Sequence, residues 1–169
     1  MAAEAGRWRE PASLLPLRWG AYRPRYVVAL ALILAGGLAV QAASVYATYF
    51  IGLGLLAHIL GWLLLPSIGV RRVVVAVPSA LCAAGPLIGS IGSVLLVACL
   101  LGWLWTRQRP GVAYLVAVFP VISALVLAAL YPQYGHGEIV VGVSLAVLVG
   151  CAWLARSVAK SRRFPSADR

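Results

Sequence analysis

At 169 residues the chain has the length of one soluble domain, but 63% of it is hydrophobic and 11% charged, a balance that excludes an ordinary water-soluble fold. A soluble domain of this size leaves roughly 30% of its unfolded surface exposed, and that surface must be mostly wettable; here only lipid can cover it. The formal charge of +10 does not imply a nucleic-acid partner, because the cations cluster around positions 7–25, 71–72, 107–109 and 156–169 and punctuate apolar stretches where a basic docking face would need continuity.

Residues 1–25 form a basic lead in which Trp8, Leu14, Leu15, Leu17 and Trp19 alternate with five arginines, a composition that suits the surface of an anionic leaflet. Pro11 and Pro16 argue against one long amphipathic helix there. The lead is longer than the basic region of a signal peptide and the next apolar run starts at once, so a retained first helix is expected.

A helix rising about 1.5 Å per residue crosses a core of about 30 Å with roughly 20 apolar residues. The first apolar block, 26–67, has 42 residues, and its middle reads Ser44-Val45-Tyr46-Ala47-Thr48-Tyr49-Phe50, the polar and aromatic tip of a hairpin. The second, 73–106, has 34 residues centred on Gly85-Pro86-Leu87-Ile88-Gly89-Ser90-Ile91-Gly92, which permits a tight turn. Crossing twice there also puts every lysine and arginine on one side, as the cytoplasmic bias of these residues requires. Blocks 112–130 and 139–155 cross once each.

The expectation is an all-α transmembrane protein: a six-helix polytopic bundle of three helical hairpins, multi-pass in the inner (plasma) membrane of a bacterium, with N- and C-termini cytoplasmic. Its spans are 26–45, 49–66, 73–85, 88–106, 112–130 and 139–158, forming a transmembrane domain over 26–158 with a basic cytoplasmic tail over 159–169. The third span is short, so it distorts at Pro78, thins the bilayer, or enters and returns.

Helices in lipid associate through small residues. Ala31, Ala35, Ala39 and Ala43 recur on the first helix, Gly142, Ala146 and Gly150 on the sixth, and Gly85 with Gly89 make another pair. These faces are read first as packing within the chain and second as docking a partner membrane protein.

Residues able to carry chemistry are few. The spans hold one titratable group away from their ends, His58, and one amide, Gln41, and each is a functional candidate because polarity is costly in lipid. At roughly 8 Å and 12 Å below the outer tip respectively, Gln41 and His58 could meet, either lining a ligand pocket or forming an interhelical hydrogen bond of about 0.6 kcal/mol. His136 and Glu138 offer two metal ligands, too few for a site; Glu138 suits the dipole of the sixth helix. Cys82, Cys99 and Cys151 lack metal or redox spacing and read as small buried residues. Without a membrane-embedded carboxylate or a recognisable catalytic motif, no catalytic residue, metal or cofactor is expected; the nearest approach to one is Ser90 or Ser93 with His58.

In span count, length and placement of its termini, the chain resembles the membrane-embedded substrate-binding subunits of energy-coupling-factor vitamin transporters, in which small residues on the first helix dock a partner. The alanine stripe from Ala31 to Ala43 fits that likeness. Two functions are therefore expected: a non-catalytic accessory or assembly subunit of a membrane complex, or the substrate-binding subunit of a small-molecule, vitamin-type transporter.

Overall fold

A computed structural model describes residues 21–67, 70–132 and 136–163; most of the basic lead and the end of the tail lie outside them. The described residues are helical without strands: α1 (Tyr22–Gln41), α2 (Tyr49–Leu64), α3 (Arg71–Ala83), α4 (Leu96–Thr106), α5 (Val118–Leu130) and α6 (Gly137–Arg163), with 3-10 turns at Gly85–Ile88, Ser90–Leu95 and Gly111–Ala117. Four continuous segments, Tyr22–Gln41, Arg71–Ile88, Gly111–Leu130 and Gly137–Ser161, are long and apolar enough to cross a membrane. Their outward side chains, such as Val27, Leu81, Leu115 and Leu125, are apolar and exposed, which makes lipid their solvent and this a membrane protein.

The third segment departs from the length read in the sequence. Pro86 stands in the first turn of the Gly85–Ile88 3-10 helix, where its missing N–H costs no hydrogen bond, so the rod continues to Ile88 and reaches 18 residues. The reversal comes at Gly89, whose φ of 107° is open to glycine and strained for other residues. On either side of it, Gly85 and Gly92 cross so closely that a Cβ on Gly92 would strike the Gly85 carbonyl oxygen. The shorter apolar segments are instead Tyr49–Leu64 and Ser90–Thr106.

Glycine also sets the tightest helix pair. A Cβ on Gly36 would lie 2.5 Å from the His58 backbone nitrogen and 2.6 Å from the Gly54 carbonyl oxygen, and one on Gly61 would lie 2.8 Å from the Ala29 carbonyl oxygen. The backbones of α1 and α2 therefore touch along their length, running in opposite directions. Ala29, Ile33, Trp62, Leu65, Val75 and Ala76 form one core between α1, α2 and α3. Leu100, Leu104, Ala113, Val116, Cys151 and Ala155 form a second between α4, the 111–117 turn and α6. Trp103 packs against both.

Arginines gather where four helix ends meet. The last carbonyls of a helix have no donor within it and carry the negative end of its dipole. Arg25 Nε donates to the Leu64 carbonyl at 2.6 Å, Arg72 to Leu65 at 3.3 Å and Arg71 to Trp105 at 3.2 Å. Arg107 is 1% exposed; it donates to the Tyr22 hydroxyl at 2.7 Å and lies over the Tyr26 ring at 4.9 Å, a cation held by aromatic faces.

Candidate functional site

His58, on the buried face of α2, is 4% exposed. Its Nδ1 lies 2.9 Å from the Ile33 carbonyl oxygen, and its Nε2 lies 3.0 Å from both the Ser79 hydroxyl and the Trp62 indole nitrogen. An indole N–H can only donate, so Nε2 must accept. The proton then sits on Nδ1 and is donated to Ile33, fixing the neutral tautomer. Three helices converge on one imidazole.

A serine beside a histidine nitrogen has the outline of a nucleophile and its base. Here the Nε2 lone pair that would take the serine proton already receives the Trp62 N–H, and Ser79 and Trp62 are 2% and 1% exposed. No substrate carbonyl reaches the hydroxyl. The arrangement ties three helices together. Ser90 and Ser93, the hydroxyls that the sequence set beside His58, bond elsewhere: Ser90 to the Tyr131 carbonyl at 2.5 Å and Ser93 to the Ser90 carbonyl at 2.7 Å.

Ser79 is the residue that sequence reading passed over. Serine in a helix often bonds its own turn, which makes it uninformative. Its register carried the signal: Val75, Ala76, Ser79, Ala80 and Ala83 are the buried residues of α3, a helical stripe of small residues with one hydroxyl among them.

Gln41 does not join His58. It donates from Nε2 to the Ala83 carbonyl at 2.8 Å, and along α1 it stands about 12 Å beyond Ile33, the residue bonded to His58. Gln41 lines a different space: an open cleft of about 620 Å³ between the end of α1, the 86–90 turn and the start of α6, with Ser90 and Glu138 as its other polar side chains. A smaller apolar pit of about 80 Å³, open to the surface, shares Leu38, Gln41, Pro86 and Val141 with it and is lined further by Leu34, Gly37, Leu145 and Leu148. Glu138 faces this cleft, whereas the His136 ring lies 5.1 Å from that of Tyr131. Among the described residues, no three His, Cys, Asp or Glu side chains group to hold a metal ion.

The small-residue stripes do not pack within the chain, contrary to their first reading. The buried face of α1 is Ala29, Ile33, Gly36 and Val40, while Ala31 and Ala35 are exposed and Ala39 and Ala43 partly so. On α6, Gly142, Ala146 and Gly150 are all exposed. Gly85, by contrast, is buried against Gly92.

Comparisons with protein-family models, with curated proteins and with solved structures find no match.

Proposed function

We propose that the chain is a non-catalytic membrane subunit that assembles with another membrane protein through the small-residue faces of α1 and α6. The observation that carries this reading is a contrast in use. Inside the bundle His58 is bonded to both Ser79 and Trp62, and all three are sealed, whereas Gly142, Ala146 and Gly150 are exposed. Small residues let helix backbones approach in lipid, where hydrophobicity alone supplies no attraction.

Replacing Gly142→Leu together with Gly150→Leu tests it. Neither position has an atom within 4 Å of an added Cβ, so the variant should fold. It should lose the proteins that co-purify with the unaltered chain in mild detergent. Recovery of the same proteins in the same proportion would rule the docking face out.

We further infer that the six segments cross as three hairpins in a bacterial inner membrane with both termini cytoplasmic. The meeting of Arg25, Arg71, Arg72 and Arg107 at one end of the bundle supports this through the cytoplasmic bias of arginine. Ile88 and Val70, 64% and 69% exposed, mark opposite ends of the third segment. In a background lacking Cys82, Cys99 and Cys151, an impermeant maleimide should label Ile88→Cys on intact spheroplasts and Val70→Cys only after lysis. Labelling of both from one side would remove that crossing.

The cleft favours a second reading, a substrate-binding subunit of a small-molecule transporter. Its volume falls in the range of about 300–1,000 Å³ typical of ligand pockets. Its polar groups are Gln41, Ser90 and Glu138, so this reading rests on them and no longer on His58.

A further inference from the structure

We propose that the cleft binds an organic cation: an ammonium group carrying a short apolar chain. The inference concerns binding alone and stands apart from whether the chain transports anything.

The polar side chains of the cleft offer acceptors. One Gln41 amide hydrogen is committed to the Ala83 carbonyl, which leaves its Oε1 and one N–H for a ligand. The Ser90 hydroxyl proton is committed to the Tyr131 carbonyl, so Ser90 can meet a ligand only through its lone pairs. Glu138 is exposed, and an ionised carboxylate accepts without donating. Among the described residues, no lysine, arginine or histidine lines the space. Acceptors outnumber donors among these side chains, and an ammonium, which donates three hydrogen bonds and accepts none, answers that excess.

Charge leads to the same class of ligand. The start of α6 contributes about +0.5 of an elementary charge through its dipole, which the full negative charge of Glu138 outweighs. The balance at the mouth is negative in a chain of net charge +10. Below the polar mouth the pit is apolar, walled by Leu34, Leu145 and Leu148. Its volume of about 80 Å³ suits a short alkyl chain. The ligand thus carries its cation outward and its hydrocarbon inward. The amine of an outer-leaflet phosphatidylethanolamine and that of a water-soluble alkylamine both answer this description.

Hexylammonium chloride is the probe, titrated calorimetrically into the purified full-length chain in dodecyl maltoside. Saturable one-site binding is expected, with none for hexanoate. Glu138→Gln should weaken it at least tenfold, and Gly142→Phe should abolish it by filling the cleft without lowering the melting temperature, because nothing lies within 4 Å of an added Cβ there. Unsaturable binding, equal affinity for hexanoate, or unchanged affinity in both variants would overturn the proposal. Repeating the titration in nanodiscs separates the two sources. Affinity reduced by phosphatidylethanolamine, relative to phosphatidylglycerol alone, assigns the site to the lipid headgroup; equal affinity assigns it to a soluble amine. The assay reads binding and not uptake, so its failure is distinct from failure of the transport or assembly reading.

Discussion

Gly36→Ala should destabilise the protein by about 3 kcal/mol, although it adds a single methyl group to an apolar helix. The new Cβ would fall 2.5 Å from the His58 backbone nitrogen and 2.6 Å from the Gly54 carbonyl oxygen. Both are backbone atoms that cannot rotate aside, and comfortable separations are about 3.5 Å or more. The helices must part by roughly 1 Å. That displacement also carries the His58 to Ile33 bond, 2.9 Å long, beyond the hydrogen-bonding range of about 3.2 Å. Overpacking of this kind costs about 1–3 kcal/mol, while a polar contact within a membrane bundle averages about 0.6 kcal/mol, so the steric part dominates. Gly142→Ala is the control. It meets nothing within 4 Å and should stabilise its helix by about 0.5–1 kcal/mol through lost glycine entropy. Detergent-denaturation curves giving both variants the same stability would refute the close approach.

His58→Leu should cost about 2–3 kcal/mol for a different reason. Leucine fills much of the imidazole's volume but offers no acceptor, and the Trp62 N–H, with its side chain 1% exposed, is left without a partner. An unsatisfied buried donor costs about 1–3 kcal/mol, above the membrane average for a hydrogen bond because no water reaches the site to replace the lost nitrogen. Trp62→Phe removes that donor. The double variant should therefore lie closer to wild type than the two single losses added together, with a coupling of about 1 kcal/mol. Strict additivity would mean that the indole and imidazole do not depend on each other.

The turns were legible in the sequence because they rest on strong local signals, whereas the third segment runs on to Ile88, past the end its glycines suggested. The Ser44–Phe50 tip separates α1 from α2, and the glycine-rich stretch from Gly85 reverses the chain at Gly89. The inward faces were not legible. In water, polarity marks the outside of a helix, but lipid is as apolar as leucine. On α1 the buried stripe through Ala29, Ile33, Gly36 and Val40 and the outward stripe through Ala31 and Ala35 present the same hydropathy. The spacing of alanines singled out the wrong side for packing. The pairing of Gln41 with His58 failed on depth, since each found a nearer carbonyl at its own level. Glu138 was read correctly as the start of α6, while its place in the cleft depended on how α1 and α6 stand apart, which no local pattern encodes.

The imidazole of His58 has a consequence for how the chain enters the bilayer. Two of its three partners, Ile33 and Trp62, belong to α1 and α2, so both ring nitrogens are occupied once residue 64 has emerged. Synthesis at roughly 5–20 residues per second delivers Ser79 about 0.75–3 s later. During that interval the first two helices can leave the insertion machinery together, with no naked polar ring facing hydrocarbon. Ser79 then finds the pair already assembled, and the third helix docks onto a finished surface.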